Sequence, residues 1–323
     1  MCNFKVLIAD AAIRPEGINM LETSTTLTSL PAYVSETEVI DAAKDVDAIL
    51  VRTTKISRPV VEASPRLKIV SRHGVGVDNV DVPACTERGI VVTTTGDANS
   101  EAVSEHAFGC LIAVARKLAI ADTVIKSGGW ERDNIIGVEL HRKVLGLIGV
   151  GRVGSRMAKH ATGFDMEVIA YDPYAKPEIA QELNVSLVGL KTLLHRSDFI
   201  SLHVPLTSAT RHLIGHAELK LMKSSAILVN TARGGLIDGQ ALYQALVHSR
   251  IAGAALDVFE QEPLPPGHPL PQLRNLLCTP HAAGQTEEGL RRMSIRAADN
   301  ILRLFRGEKP PDIVNPEALK RTG

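Results

Sequence analysis

Short apolar runs recur along the chain, and each is followed by a segment whose apolar positions return at three- and four-residue intervals. The clearest series lies in the middle. Runs at Lys143–Val150 (KVLGLIGV), Glu167–Asp172, Phe199–Pro205, Ala226–Ala232, Gly253–Phe259 and Leu276–His281 have the length and uniform apolarity of strands buried on both faces. Between them, Gly154–Ala161, Leu190–Arg196 and Asp238–Ser249 carry helical spacing. Strand and helix in alternation predict an α/β fold, a doubly wound parallel sheet with helices on both faces.

The first hundred residues repeat the theme more weakly, with strand runs at Phe4–Ala9, Ala48–Thr53, Leu67–Ser71 and Ile90–Thr94. This stretch has a glycine-rich turn at His73–Gly76 but no glycine loop opening a helix. Two doubly wound α/β domains are therefore expected. One helix is predicted from Ser100 to about Lys126, capped by Asn99 or Ser100, led by Glu101 and stopped by Gly128–Gly129. Another is predicted over about Gly284–Phe305. If these two helices carry the chain across and back, residues 1–98 and 290–323 form one discontinuous domain and 99–289 the other.

Composition narrows the class. A chain of 323 residues, 45% apolar and only 3% aromatic, fits two cores built from aliphatic side chains. Basic and acidic residues number 36 each, so no charge imbalance points to nucleic acid or an anionic membrane. Cys2, Cys85, Cys110 and Cys278 stand far apart, which reads as neither a metal site nor a disulfide framework. The opening MCNFKVLIAD, broken by Lys5 and Asp10, reads as a first strand rather than a signal peptide. No run reaches the roughly 18–20 apolar residues of a membrane span. The expectation is a soluble cytoplasmic protein without a metal.

The chemistry begins at Gly149-Val150-Gly151-Arg152-Val153-Gly154, a G-x-G-x-x-G with a strand running in and a helix running out. The first glycine permits the tight turn, the second lets a pyrophosphate approach the backbone, and the third lets helix and strand pack. The helix N-terminus then meets the phosphates. An acid is expected about 20 residues on, at the end of the next strand. Asp172 stands there, placed to accept hydrogen bonds from the ribose hydroxyls and to repel a 2′-phosphate, so NAD is favoured over NADP.

Ligands of open α/β sheets bind beyond the carboxyl ends of the strands. His203, Arg233, Asp257 and His281 each follow an apolar run, and Glu262 comes shortly after Asp257. An arginine can clamp a carboxylate, a histidine can exchange a proton near neutrality, and a carboxylate beside it orients the ring and stabilises imidazolium. Together they suit oxidation of a 2-hydroxy acid. Spacing alone also allows Glu262 to be a solvated turn carboxylate, Arg233 a turn cap, and His203 and Asp257 sheet-edge residues.

In these motifs the chain resembles the D-isomer-specific 2-hydroxyacid dehydrogenases, closest to the D-3-phosphoglycerate dehydrogenase branch. The resemblance runs from Val51-Arg52-Thr53 through Ser71–Asp81 (SRHGVGVDNVD), GVGRVG at 149–154 and His203–Thr207 (HVPLT). It continues through Asn230–Gly235 (NTARGG) and Leu256–Pro263 (LDVFEQEP) to Thr279-Pro280-His281. It implies a Rossmann NAD-binding domain, a flavodoxin-like substrate domain closing on it, and a homodimer formed through a helical arm at about 99–140. It also implies Arg233 as substrate ligand, Glu262 paired with His281, and His281 as acid/base. Asp257 would hold the nicotinamide amide, Val75 and Gly76 would offer N–H groups to the substrate carboxylate, and Arg152, Val153, Pro205, Thr231 and Gly284 would line the cofactor. His73 stands where relatives often carry a smaller or aromatic residue. Because the sequence ends near 323, no regulatory domain of the kind found in long phosphoglycerate dehydrogenases is expected.

A phosphorylated substrate needs cations apart from the Arg233 clamp. Arg52, Lys55, Arg72 and Arg132 are the candidates, and Arg52 with the Trp130-Glu131-Arg132 segment resembles the phosphoglycerate branch. The expectation is 3-phosphoglycerate, against hydroxypyruvate, glyoxylate, sulfolactate or ordinary surface roles for these cations. An NAD-sensing corepressor, a binding protein of the same family, is the alternative from another class.

Overall fold

The computed structural model describes residues 4–10, 13–31 and 34–320, and Cys2 lies outside them. The chain divides into two compact units, Met1–Asn99 with Gln285–Gly323, and Ser100–Gly284. No helix among the described residues is long and apolar enough to cross a membrane.

In the first unit, strands β1 (Phe4–Ile8), β2 (Thr25–Ser29), β3 (Ala48–Val51), β4 (Ile69–Arg72) and β5 (Val91–Thr93) alternate with helices α1 (Pro15–Glu22), α2 (Glu36–Ala43), α3 (Arg58–Glu62) and α4 (Val82–Glu87). All strand pairs are parallel, in the order β2-β1-β3-β4-β5, which is the flavodoxin-like order. Alternate side chains leave each strand on opposite faces, and both faces are buried. Val6, Ile8, Ala48, Leu50, Ile69 and Val91 pack with Leu21 of α1 and with Ala297 and Ile301 of the C-terminal helix, Glu287–Phe305. Leu7, Ile49, Val51, Val70 and Val92 pack instead with Val39, Val60 and Cys85 of α2, α3 and α4. Strand β2, with sequence TTLTS, was not expected. It is the edge strand and its side chains are half-buried or exposed, so it carries no apolar run.

The second unit opens with α5 (Ser100–Ala115) and α6 (Leu118–Lys126). The single helix expected from Ser100 to about Lys126 is thus two. Lys117 adopts φ 53°, in the left-handed region, and breaks it. The returning chain supports the break: Val138 N–H donates to the Ala115 carbonyl (2.8 Å). A Cβ on Gly137 would lie 2.6 Å from that same oxygen. The first helix buries Ala107, Phe108, Leu111 and Ala115, whereas the second buries none of its residues.

The sheet of this unit comprises β6 (Val144–Ile148), β7 (Glu167–Tyr171), β8 (Ser186–Leu187), β9 (Phe199–Leu202), β10 (Ile227–Asn230), β11 (Gly253–Leu256) and β12 (Leu276–Cys278). Helices α7 (Arg152–Thr162), α8 (Pro177–Glu182), α9 (Leu190–Arg196), α10 (His216–Leu221) and α11 (Gly239–Val247) connect them. The order is β12-β11-β10-β9-β6-β7-β8. The Rossmann order is extended by one strand, and the chain reverses direction across the sheet between β6 and β9, the place where such sheets bind ligands. Strand β8, exposed at both residues, was also not expected. On one face Leu145, Leu147, Phe199 and Val229 pack with Met157 and Ala158 of α7 and with α5. On the other, Ile148, Ile200, Leu228 and Leu256 pack with Leu193, Leu219 and Leu242 of α9, α10 and α11. Both units are therefore doubly wound α/β layers.

Most of the central strands end two or three residues earlier than their apolar runs: β9 stops at Leu202, β11 at Leu256 and β12 at Cys278. The polar residues of interest consequently sit in loops just past the carboxyl ends, and backbone bonds help to place them. His203 N–H donates to the Ile148 carbonyl, Asp257 N–H to Asn230 and His281 N–H to Asp257.

Candidate active site

The loop between β6 and α7 has a different demand at each glycine. Gly149 takes φ +97°, which a side chain rarely adopts, and a Cβ there would meet Val204 at 2.9 Å. A Cβ on Gly154 would lie 2.1 Å from the Gly149 carbonyl oxygen, so the helix can start this close to the strand only without a side chain. A Cβ on Gly151 would meet nothing within 4 Å, which leaves open space at the helix N-cap. The first-turn N–H groups of Arg152 and Val153 have no acceptor within the helix. Asp172, just past β7, holds the loop in shape: its Oδ2 accepts from Val150 N–H (3.0 Å) and its Oδ1 from Tyr174 N–H (2.9 Å).

Just past β9 and β10 two polar atoms lack partners. His203 Nε2 and Thr231 Oγ1 are buried without a hydrogen bond among the described residues, a rare and costly condition. Burial pushes the His203 imidazole down to about 3, so the ring is neutral. Pro205 lies exposed beyond His203, and its carbonyl accepts from Thr210 Oγ1 (2.7 Å). Open space at Gly151, helix N–H groups without intrahelical acceptors, a carboxylate past β7 and orphaned polar atoms just past β9 and β10 fit a dinucleotide.

The Arg233 turn is built by Asn230, fully buried at the end of β10. Its Nδ2 donates to the Arg233 carbonyl (2.9 Å) and its Oδ1 accepts from Ala232 N–H (3.0 Å). A Cβ on Gly234 would fall 1.9 Å from the Phe259 carbonyl carbon, so this turn lies flush against the Phe259–Glu260 backbone. That close approach puts the Arg233 charge within reach of Glu262.

Glu262 and His281 meet directly. Glu262 Oε1 accepts from Phe259 N–H (2.9 Å), and Oε2 lies 2.7 Å from His281 Nδ1. Partial burial works to raise the Glu262 carboxyl, but the His281 and Phe259 hydrogen bonds and the charges of His281 and Arg233 outweigh it and hold it below the usual range. The ionised carboxylate can only accept, so His281 Nδ1 must donate. In the neutral ring, Nε2 then carries the lone pair, and it takes no hydrogen bond among the described residues. His281 itself sits at φ 52°, left-handed for a non-glycine residue, a conformation that clusters at functional sites. Asp257 is 1% exposed; its carboxylate accepts from Thr279 Oγ1 (2.6 Å), Ala282 N–H (2.7 Å) and Ala283 N–H (2.9 Å). Gly284 closes this loop and the second unit.

In the first unit, Asp10 organises the Arg52 loop, a role the sequence reading missed. Its buried carboxylate accepts from the N–H groups of Arg52 (2.7 Å), Thr53 (3.1 Å) and Thr54 (3.4 Å) and from Thr53 Oγ1 (2.6 Å). The available signal was a carboxylate directly after an apolar run, where ligand-shaping groups collect. Arg72 folds across Gly74, where a Cβ would lie 1.3 Å from its Nη1, and donates to the His73 carbonyl (2.8 Å). His73 is 1% exposed; Nε2 meets Ser294 Oγ (3.0 Å) and the Leu290 carbonyl (3.3 Å). Burial, with the charges of Arg52 and Arg72, pushes it down to about 4. Val75 is exposed, and the Val75 and Gly76 N–H groups find no acceptor among the described residues. Lys55 and Arg132 are both exposed.

Comparison with known proteins identifies the family. Residues 108–283 match the family described as D-isomer specific 2-hydroxyacid dehydrogenase, NAD binding domain. A D-3-phosphoglycerate dehydrogenase of Methanocaldococcus jannaschii is 44% identical over 96% of this chain, which spans only 59% of that protein's length. A glyoxylate reductase of Korarchaeum cryptofilum is 44% identical over 88% of each chain. A crystal structure of a Thermus thermophilus protein, 34% identical, superposes with a TM-score of 0.90 over 96% of this chain and 100% of the other. The chain belongs to the D-isomer-specific 2-hydroxyacid dehydrogenase family, whose NAD-binding domain it carries.

Proposed function

We propose that the chain oxidises a D-2-hydroxy acid, 3-phosphoglycerate above others, with NAD as hydride acceptor, and reduces the 2-oxo acid in reverse. The observation that carries the reading is the 2.7 Å pair between Glu262 Oε2 and His281 Nδ1 on a left-handed turn, with Nε2 left to exchange a proton. Bound NAD supplies the hydride acceptor. Its phosphates are held at Gly151, Arg152 and Val153, its ribose at Asp172, and His203, Pro205, Thr231, Asp257 and Gly284 complete its surroundings. In the second unit, Arg233 clamps the substrate carboxylate and 2-oxygen through its planar guanidinium. His281 Nε2 takes the hydroxyl proton as C2 is oxidised, and Glu262 stabilises the imidazolium that results.

In the first unit, Val75 and Gly76 offer N–H groups to the substrate carboxylate. Arg52 and Arg72, whose two charges both act on His73, supply the phosphate cations. Glyoxylate has no group for such cations, yet the Korarchaeum glyoxylate reductase is matched over a larger share of its length, so glyoxylate is the second reading. A side-by-side comparison of kcat/KM for 3-phosphoglycerate and for glyoxylate or hydroxypyruvate decides between them. Higher kcat/KM for the small acids would overturn the phosphate assignment.

We also propose a homodimer formed through the helical arm at about 99–140. Leu118, Ile125, Trp130 and Ile136 expose half or more of their surface there, and contiguous exposed apolar patches mark interaction sites.

A further inference from the structure

We infer that Asp257, Thr279 and His106 form an anchor that sets the turn of the acid/base residue, so that Thr279 and His106 are positioning residues for His281. The inference rests on the reading of His281 as acid/base given above. Thr279 Oγ1 donates to Asp257 Oδ1 (2.6 Å), and His106 Nε2 lies 3.0 Å from the same hydroxyl. The single hydroxyl proton goes to the carboxylate, so His106 Nε2 must be the donor to Thr279, which fixes its tautomer. A chain of hydrogen bonds thus runs from α5 into the loop: His106 to Thr279 to Asp257. On the far side Asp257 accepts from Ala282 and Ala283 N–H, the two residues that follow His281.

His281 is held from both sides by this chain. Thr279 precedes it by two residues and Ala282 follows it, while its own N–H donates to the Asp257 carbonyl (2.8 Å). A left-handed non-glycine residue persists only where its surroundings over-determine it, and this network provides that constraint. The Asp257 side chain is fully buried. Three of its roughly four acceptor positions are taken by the loop, so besides its place in the cofactor's surroundings it shapes the His281 turn.

The test uses the full chain with Thr279→Val and Thr279→Ser. Thr279→Val removes the hydroxyl at nearly constant volume, leaving the His106 donor and an Asp257 lone pair unmatched. Expected is a loss of kcat of at least tenfold with the NADH Kd within twofold of wild type, and recovery of at least a third of kcat in Thr279→Ser. A Thr279→Val enzyme with kcat within twofold of wild type would overturn the inference, as would equal losses of kcat and NADH affinity. Should that variant unfold, His106→Leu tests the outer end of the chain, where at least a threefold loss of kcat is expected and none would refute.

A readout independent of turnover separates this inference from the functional reading beneath it. In protein labelled with 15N-histidine, the His281 Nδ1–H signal, assigned by its loss in His281→Asn, should move or broaden in Thr279→Val and stay in Thr279→Ser. An unchanged signal in Thr279→Val would defeat the anchor. A wild-type enzyme inactive on every 2-hydroxy acid would defeat the functional reading alone.

Discussion

Substituting alanine at two glycines of one loop should produce two different failures. At Gly154 the new methyl would lie 2.1 Å from the Gly149 carbonyl oxygen and 3.0 Å from its carbon. Both obstacles are backbone, so loop and helix must separate by about 1 Å to restore contact distance. Overpacking of this kind costs about 1–3 kcal/mol, and 1 kcal/mol shifts Tm by about 2–4 °C in a domain of this size. Gly154→Ala should therefore lose several degrees of Tm and bind NADH less tightly, because the first turn of α7 moves. At Gly151, by contrast, the methyl meets nothing within 4 Å, and φ −68° with ψ −154° suits alanine. Gly151→Ala should unfold within about 0.5 kcal/mol of wild type. If the open space is where the pyrophosphate approaches, its NADH Kd should still rise at least tenfold, which is about 1.4 kcal/mol. Thermal unfolding and NADH fluorescence titration on the two variants check this. NADH binding within twofold of wild type in Gly151→Ala would refute the placement of the phosphates.

Three further outcomes follow from the same geometry. Arg52→Ala should raise KM for 3-phosphoglycerate at least tenfold more than for glyoxylate in steady-state assays; equal effects would remove Arg52 from phosphate recognition. His73 is held neutral, its value lowered to about 4 by burial and then by the charges of Arg52 and Arg72. Below pH 6.5 the unfolded chain takes up its proton first, so stability is full above 6.5 and falls as pH drops toward 4. At about 1.4 kcal/mol per unit, the first unit should lose about 2 kcal/mol between pH 6.5 and 5 from this residue. Urea unfolding of His73→Asn should show that part of the slope gone. Trp130→Asp with Ile136→Asp should shift the sedimentation mass from dimer to monomer while leaving NADH binding within twofold.

The strands of both cores were legible in the sequence because Leu7 and Val6, or Ile148 and Leu147, bury opposite faces and make unbroken apolar runs. Strands β2 and β8 were not, since an edge strand such as TTLTS needs only one neighbour and keeps its polar side chains. The break at Lys117 was hidden for a related reason. The residue is a good helix former, and the turn is imposed by the distant Gly137–Val138 segment. At the site, the positions of His203, Arg233, Asp257 and His281 after apolar runs could be read directly. Their mutual geometry could not: the Glu262–His281 contact joins two separate loops, and Arg233 reaches Glu262 from a turn that lies flush against Phe259. Likewise Asp10 looked like the residue that ends a run, and only the folded chain shows it gathering the backbone of Arg52, Thr53 and Thr54.

His281, oriented by Glu262, is proposed to move the proton that accompanies hydride transfer. This role is tested most directly by NADH absorbance with a panel of D-2-hydroxy and 2-oxo acids, run on wild type and on His281→Asn alongside NADH titration. Turnover by the wild type is expected, with a loss of at least a thousandfold in kcat for the variant and NADH affinity within about twofold. Substantial turnover by His281→Asn, against an active wild type, would contradict it.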